Sequence, residues 1–135
     1  MKSVTFLKSN DHCRIATISK DGYPHCVPVG YFYHNDIIYI PTNSKSNKVR
    51  NLTHNPKCCV IVDTYANRKG RGILVQGKAR VAFGKHYCKL KSKIEKLTGW
   101  KLDNWRLGDP PKDKVDTIIQ IDTREKTIIR IGDLC

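Results

Sequence analysis

Segment 42–50 carries the residues with the clearest chemical potential in this sequence. It combines hydroxyl, amide and cationic side chains where a strand gives way to a helix: Thr42, Asn43, Ser44, Lys45, Ser46, Lys48 and Arg50. Unpaired backbone N–H groups at a helix N-terminus attract anions, and nearby lysines add to the attraction. The pattern is typical of a phosphate-binding site. Capping of the helix on a solvated basic face would use the same residues, so the segment alone leaves both interpretations open.

The elements on either side of this segment follow from local signals. Ile37 to Thr42 is short and apolar, which predicts a strand. Segment 44–55 is polar, with Val49 and Leu52 three residues apart, so we expect a short surface helix. Ser44 is the predicted N-cap of this helix, and Pro56 ends it.

Most of the first third of the chain has the pattern of a β-meander. Segments 13–19, 24–34 and 37–42 are predicted strands, joined by turns at Asp21-Gly22 and Asn35-Asp36. Pro28 lies inside the second strand, where it cannot donate a hydrogen bond. We therefore expect an edge, a bulge or a ligand-facing stretch there.

The remainder alternates strand and helix signals. Segments 57–65 and 71–81 are predicted strands, and Gly72 and Gly77 indicate a bulge or a close backbone approach in the second of them. A helix follows, with Tyr87, Leu90, Ile94 and Leu97 on its apolar stripe. Segment 99–114 is a predicted loop, and segments 116–122 and 127–131 a final hairpin. About seven strands and two helices favour a mainly β fold, a small antiparallel barrel with flanking helices.

Size and composition limit the classes of protein that the chain can belong to. Its 135 residues are 39% hydrophobic and 27% charged, which predicts a single globular domain over 1–135. No run approaches the length of a membrane-spanning helix, and no secretory signal is visible, so we expect a cytoplasmic protein without a membrane partner. The six cysteines have no metal or disulfide spacing, which predicts small buried side chains and no metal site.

The charge balance points to an anionic partner. The formal net charge is +13, and between Lys85 and Lys101 there are six lysines and one glutamate. Nucleic acid, an anionic membrane surface and phosphorylated small molecules would all respond to such an excess. No serine-nucleophile, zinc-protease or P-loop motif is present to select a reaction.

Three stretches together resemble the pyridoxamine 5'-phosphate oxidase-like split-barrel family, with the nitroimidazole-reductase-like branch the most similar. Residues 14–18 (RIATI), 21–25 (DGYPH) and 28–29 (PV) resemble the opening hairpin of that family. Residues 42–48 (TNSKSNK), followed by 51–52 (NL) and 55–56 (NP), resemble its flavin-phosphate segment. Residues 71–79, from RG to GKA, resemble the strand that the partner subunit lends to the site.

The resemblance implies a homodimer that binds FMN at its subunit interface and transfers hydride to or from a small-molecule substrate. The positions that match the family's cofactor contacts are Thr42, Ser46 and Lys48 for the phosphate, Val27, Pro28 and Val29 for the ring, and Arg71 and Gly72 from the second subunit. Asn43 and Asn47, in the same segment as the phosphate contacts, are also predicted to bind the cofactor. The match departs from the family at Asn47, where the oxidase has an arginine. The oxidase's C-terminal substrate motif also has no counterpart, and no catalytic residue is assigned.

Several alternatives stay open on the sequence. A deazaflavin coenzyme on the same fold would suit the positive charge. A basic nucleic-acid-binding protein is the other class, although aromatic residues do not alternate regularly with basic ones, which makes nucleic acid an unlikely partner. His25, Tyr31 and Tyr33 are candidates for substrate contact or for packing. Trp100 and Trp105 would cover the flavin or anchor their loop.

Overall fold

The computed structural model describes residues 2–105, 114–125 and 128–132, which form three α-helices, nine β-strands and one 3-10 helix. In chain order these are α1 (Lys2–Lys8), β1 (His12–Ile18), β2 (Pro24–Gly30), β3 (Phe32–His34), β4 (Ile37–Thr42), α2 (Asn47–His54), β5 (Lys57–Ala66), β6 (Lys69–Lys78), β7 (Arg80–Ala82), α3 (Gly84–Thr98), the 3-10 helix Leu102–Asn104, β8 (Thr117–Asp122) and β9 (Ile128–Gly132).

The strands form two antiparallel sheets. One has five strands in the order β2-β1-β5-β6-β9, and the other has four in the order β3-β4-β8-β7. Apolar side chains from the two sheets meet in one core, which includes Ile15, Ile38, Val60 and Ile121, each fully buried. The predicted mainly β, split-barrel fold with flanking helices is therefore confirmed.

The hairpin turns follow the local sequence. Asn35 and Asp36 have φ of 46° and 69°, and Asn67 and Arg68 have φ of 52° and 64°. Two-residue turns with positive φ match the twist of antiparallel strands, and Asn and Asp tolerate that region well. The predicted turn at Gly22, with φ of 87°, is also present.

Three of the predicted strand arrangements are wrong. The predicted strand 24–34 breaks at Tyr31, whose N–H donates to the Asp11 carbonyl, so β2 and β3 enter different sheets and no three-stranded meander forms. The predicted final hairpin does not form either, because β8 pairs with β4 and β7 whereas β9 pairs with β6. Segment 71–81 likewise divides at Ala79, whose N–H donates to the Pro56 carbonyl.

The helices differ from prediction in detail. Helix α2 begins at Asn47 and its N-cap is Ser46, not Ser44. Helix α3 buries Tyr87 and Ile94 against β8, but Leu97 at its last turn is 47% exposed. Helix α1 carries no sequence signal of its own and is held by burial of Phe6 and Leu7.

The helices cover only part of the sheets. Helix α3 and the 3-10 helix pack on the outer face of the four-stranded sheet, where a second apolar cluster forms from Tyr39, Tyr87, Leu90, Ile94, Leu102, Val115 and Ile118. Helix α2 packs on β1, where Asn51 Nδ2 donates to Thr17 Oγ1 at 3.0 Å between two buried side chains. Across the described ranges, no helix has the length and apolar character that crossing a bilayer requires.

The described cysteines range from buried to exposed, with Cys58 and Cys59 partly buried. Cys13 is buried, and burial raises the pKa of its thiol to about 12. Cys26 and Cys88 are exposed, so the expectation that the cysteines are small buried side chains is wrong for these two. Both lie at positions that face away from a core, Cys26 on an edge strand and Cys88 on the outer side of α3.

Candidate functional site

The turn between β4 and α2 is built around two hydroxyl groups. Thr42 is buried at the end of β4, and its Oγ1 donates to Ser46 Oγ at 3.5 Å. Ser46 Oγ in turn accepts from the Val49 N–H at 3.4 Å, which caps α2. These contacts bring Thr42, Ser46 and the first turn of α2 together, as the sequence predicts.

Asn43 and Asp116 fix the shape of this turn. Asn43 Oδ1 accepts from the Lys45 N–H at 2.8 Å, and Asn43 Nδ2 donates to the Lys114 carbonyl at 2.8 Å. Asp116 accepts from the Ser44 N–H at 2.8 Å and from the Ser44 hydroxyl at 3.1 Å. Partial burial opposes ionisation of Asp116, but these bonds and one from Thr117 outweigh it and lower its pKa. Asn43 therefore holds the turn rather than presenting its amide to a ligand.

Lys48 is the unusual cation of this region. Its side chain is partly buried, and that burial lowers the pKa of its ammonium group. Among the described residues it has no carboxylate partner and no hydrogen-bond acceptor, and the N–H groups of Asn47 and Lys48 have no acceptor either. A partly desolvated cation without a counter-charge is costly. An anion bound at the start of α2 would remove that cost.

The predicted ring-binding residues lie on β2, an edge strand of the five-stranded sheet. Val27 and Val29 turn their side chains toward the core, whereas Pro28 is exposed. An edge strand leaves every second N–H and C=O unpaired, and a proline costs no ladder hydrogen bond where its nitrogen faces outward. The edge position that Pro28 predicts is therefore confirmed.

His25, Tyr31 and Tyr33 have different environments. The Tyr31 hydroxyl donates to the Leu7 carbonyl at 2.6 Å, and the Tyr33 hydroxyl donates to Asp36 Oδ1 at 3.3 Å, with both rings in the core. Burial raises the pKa of both phenols. His25 Nδ1, by contrast, is buried with no hydrogen-bond partner in the part of the chain that the structure describes. Buried polar atoms are rarely left unpaired, so this atom marks an incomplete contact on β2.

The outer face of the five-stranded sheet is largely apolar and is not covered by any described helix. Register places Cys26, Ala16, Cys59 and Gln76 in one row across four strands. A groove of about 480 Å³ opens along this face; its lining includes Ala16, Ile18, Pro24, Cys59, Gln76 and Lys78. Thr17, which bonds to Asn51 of α2, also lines the groove. Thr17 belongs to the buried face of β1, so α2 contacts β1 from the side opposite Ala16 and Ile18.

Arg71 and Gly72 lie far from this groove within one chain. Arg71 is five residues from Gln76 along β6, which is about 16 Å at roughly 3.3 Å per residue. Its guanidinium stacks over the Phe6 ring, 5.6 Å from the centroid. A Cβ on Gly72 would lie 3.1 Å from the Asp63 Cβ and from the Val62 carbonyl oxygen, so the predicted close approach is present. The structure thus does not bring these two residues to the other predicted contacts.

The two tryptophans have separate roles. The Trp105 ring packs against Gly30, where an added Cβ would lie 2.6 Å from Trp105 Cζ2. This contact anchors the segment after the 3-10 helix to the end of β2, as one of the two sequence interpretations expected. Trp100 is 67% exposed at the end of α3.

Comparison with known proteins identifies a class and then a family. The two-sheet core defines a split-barrel protein, and the family model described as pyridoxamine 5'-phosphate oxidase matches residues 2–126. The chain belongs to the pyridoxamine 5'-phosphate oxidase family. No curated protein sequence matches it.

Solved structures share this fold at low sequence identity. A FAD-binding protein from Mesorhizobium loti is 24% identical with a TM-score of 0.67, covering 94% of this chain and 89% of that one. A FAD-binding protein from Mycobacterium smegmatis is 17% identical, with a TM-score of 0.64 and coverage of 95% and 91%. The heme storage protein HutZ from Vibrio cholerae is 12% identical, with a TM-score of 0.70 and coverage of 97% and 92%. At these identities the likeness establishes the fold and leaves the ligand open.

Proposed function

We propose that this protein is a flavin-dependent oxidoreductase that binds FMN at the interface of a homodimer. The observation that carries the proposal is Lys48, a partly buried ammonium group without a counter-charge in the described residues, on the first turn of α2. The family of the chain supports a flavin, and two of the similar structures belong to FAD-binding proteins.

The cofactor phosphate would occupy the turn between β4 and α2. Lys48 would supply the positive charge, and the Ser46 hydroxyl, oriented by the hydrogen bond that it accepts from Thr42, would donate to the phosphate. The open N–H groups of Asn47 and Lys48 would point to the same anion. Asp116 accepts from the Ser44 N–H, so this turn is held in shape before a ligand binds. A pre-formed turn lowers the cost of binding.

The isoalloxazine ring would lie along β2 and the neighbouring groove. Flavin, when bound, supplies hydride transfer at its ring nitrogen. The edge of β2 would offer backbone groups to the polar side of the ring, and the apolar lining, including Ile18 and Pro24, would exclude water. His25, with its unpaired Nδ1, is the described side chain of this strand that lacks a partner.

A second copy of the chain would complete the site. The outer face of the five-stranded sheet is an apolar surface without a described cover, and such surfaces mark contact sites. Arg71 and Gly72, about 16 and 13 Å from Gln76 of the groove in their own chain, would reach the site of the partner. The cofactor contacts predicted by the sequence then fall into one site only when two chains meet.

The test distinguishes the contribution of the phosphate to FMN binding from that of the ring. The untagged protein is stripped of any bound chromophore and titrated with FMN and, in parallel, with riboflavin, which has the same ring and no phosphate. We expect FMN to bind at least about tenfold more tightly, a difference of about 1.4 kcal/mol. Equal affinities would remove the phosphate site from the proposal, and no binding of either would overturn it. Preference for a deazaflavin coenzyme over FMN in the same titration would identify the alternative cofactor.

A further inference from the structure

The outer side of α3 is a stripe of uncompensated lysines. Successive residues of an α-helix are about 100° apart, so Lys85, Lys89 and Lys96 fall within about 40° of one another. They lie opposite the buried Tyr87 and Ile94, and all three are exposed. We call these three residues the lysine stripe.

Acidic groups near α3 do not neutralise the lysine stripe. Glu95 is partly buried and accepts from the Leu102 N–H at 2.8 Å, and Asp103 pairs with Lys91 at 3.3 Å. Among the described residues, no member of the stripe has a carboxylate within ion-pair distance. The stripe is therefore a linear array of free positive charge, and its charge complement is a polyanion.

An exposed aromatic ring lies at each end of α3. Phe83, which precedes the helix, is 44% exposed, and Trp100, which follows it, is 67% exposed. The fifteen residues of α3, which separate the two rings, span about 22 Å. Phe83 also lines a groove of about 680 Å³ beside α2, together with Lys45, Arg50 and His54. Phe83 thus links this basic groove to the start of α3, and Trp100 lies at the other end of the helix.

We infer that this surface binds single-stranded nucleic acid, with phosphates along the lysine stripe and bases stacked on Phe83 and Trp100. Charged tracks flanked by aromatic platforms are how proteins hold single strands without reading sequence. A membrane surface is the weaker candidate, because α3 turns its apolar face inward and the exposed apolar side chains near it, Phe83, Leu97 and Trp100, do not form a continuous apolar helix face. The absence of regular aromatic spacing in the sequence does not count against this surface, because folding places the two rings.

The first measurement is the salt dependence of binding. Fluorescence anisotropy of a labelled oligothymidylate of about 12 nucleotides gives the affinity at several salt concentrations. Each phosphate contact on a single strand contributes about 0.7 to the slope of log K against log salt. The triple variant Lys85→Gln, Lys89→Gln, Lys96→Gln should therefore lower the slope by about 2. A matched variant, Lys8→Gln, Lys20→Gln, Lys69→Gln, removes the same charge from exposed sites elsewhere and should leave the slope within about 0.5 of the original.

The second measurement tests the aromatic rings. Stacking on one base contributes enough that Phe83→Ala and Trp100→Ala should each weaken binding at least about fivefold. Tyr23→Ala removes an aromatic ring that is 72% exposed at a distant turn, and should change the affinity less than twofold. The FMN affinity of every variant should be unchanged. This result would distinguish this surface from the proposed flavin site.

Three outcomes would overturn the inference. The first is equal loss of slope in the two triple variants, which would mean that binding follows net charge alone. The second is loss of affinity on Lys→Gln substitution without any effect of Phe83→Ala or Trp100→Ala. The third is binding to phosphatidylserine vesicles with none to the oligonucleotide, which would assign the surface to a membrane.

Discussion

The two sheets of this protein share one core but differ on their outer faces. The outer face of the four-stranded sheet is sealed by α3 and the 3-10 helix, and Ile118 is fully buried there. None of the described residues covers the outer face of the five-stranded sheet in this way, although Ala16, Ile61 and Leu74 lie on it and Ile18 is 36% exposed. The outer face of one sheet is thus buried by helices of the same chain, and the other keeps apolar side chains partly exposed.

This difference explains why the candidate site lies where it does. The covered sheet supplies rigidity, because β4 and β8 hold the turn that leads into α2. The uncovered sheet supplies the groove and the edge strand β2. Binding residues placed between a rigid support and an open face can hold a ligand and still admit a partner.

The largest effect should come from the covered face. Ile118→Ala removes apolar contacts under α3, and we expect the free energy of unfolding to fall by about 2 to 5 kcal/mol. Urea denaturation followed by circular dichroism measures this loss. Ile118→Val should cost only about 0.5 to 1.5 kcal/mol. A loss below about 1 kcal/mol for the alanine variant would mean that α3 does not seal this face.

A substitution on the uncovered face should weaken dimer formation rather than destabilise the fold. Leu74→Lys places a charge on the proposed interface, and we expect the dimer dissociation constant to rise at least about 100-fold, or about 2.7 kcal/mol. Sedimentation equilibrium measures the constant, and FMN affinity should fall with it. Leu74→Met keeps the surface apolar and should preserve the dimer. A Leu74→Lys protein that stays dimeric would place the interface elsewhere.

The next effect concerns the cofactor phosphate. Lys48→Ala should raise the FMN dissociation constant at least about tenfold, or about 1.4 kcal/mol, and leave the dimer intact. Lys20→Ala removes the same charge from an exposed turn and serves as the control. We expect riboflavin affinity to be the same in all three proteins. An unchanged FMN constant in Lys48→Ala would exclude Lys48 from phosphate binding.

The smallest effect should be a pH dependence of the free energy of unfolding, which FMN should abolish or reverse. Burial lowers the pKa of Lys48 below 10.5 in the folded protein. At pH values between the folded and the unfolded pKa of Lys48, the unfolded chain therefore binds more protons than the folded protein. The contribution of Lys48 to the free energy of unfolding should therefore rise as pH rises through this range. Saturating FMN phosphate favours the charged ammonium and should abolish or reverse this rise.

The measurement for this prediction is a difference between two proteins. Unfolding free energies of the wild type and Lys48→Met, compared from about pH 8 to 10.5, cancel the contributions of the buried thiols and phenols. We expect the difference to rise with pH in the absence of FMN, and to stay level or fall with pH when FMN is saturating. The same slope in both conditions would show that the ammonium does not meet the phosphate.

The local parts of the fold could be predicted from the sequence. Asp21-Gly22 and Asn35-Asp36 have the backbone preferences of tight turns, and β1 beside the first turn alternates buried residues with more exposed ones. Thr42, Ser46 and Lys48 lie within seven residues, so local spacing was enough to place them together. The end of α2 before Pro56 was predictable for the same reason.

The rest depended on contacts between distant segments. Ser44 and Ser46 are equivalent N-cap candidates by type, and Asp116 decides between them by binding Ser44 from 72 residues away. The assignment of β9 to β6 instead of β8 is likewise a pairing that no local pattern encodes. Helix α1, with seven residues, is too short to be stable alone and exists because Phe6 and Leu7 are buried.

The placement of the two tryptophans gives the protein a pair of optical reporters. Trp105, packed on Gly30 where β2 gives way to β3, should emit at shorter wavelength and resist quenching by iodide. Trp100, 67% exposed, should emit at longer wavelength and be readily quenched. Since the chain has only these two indoles, single Trp→Phe variants would let intrinsic emission follow the crossing between the sheets and the end of α3 independently, without an attached label.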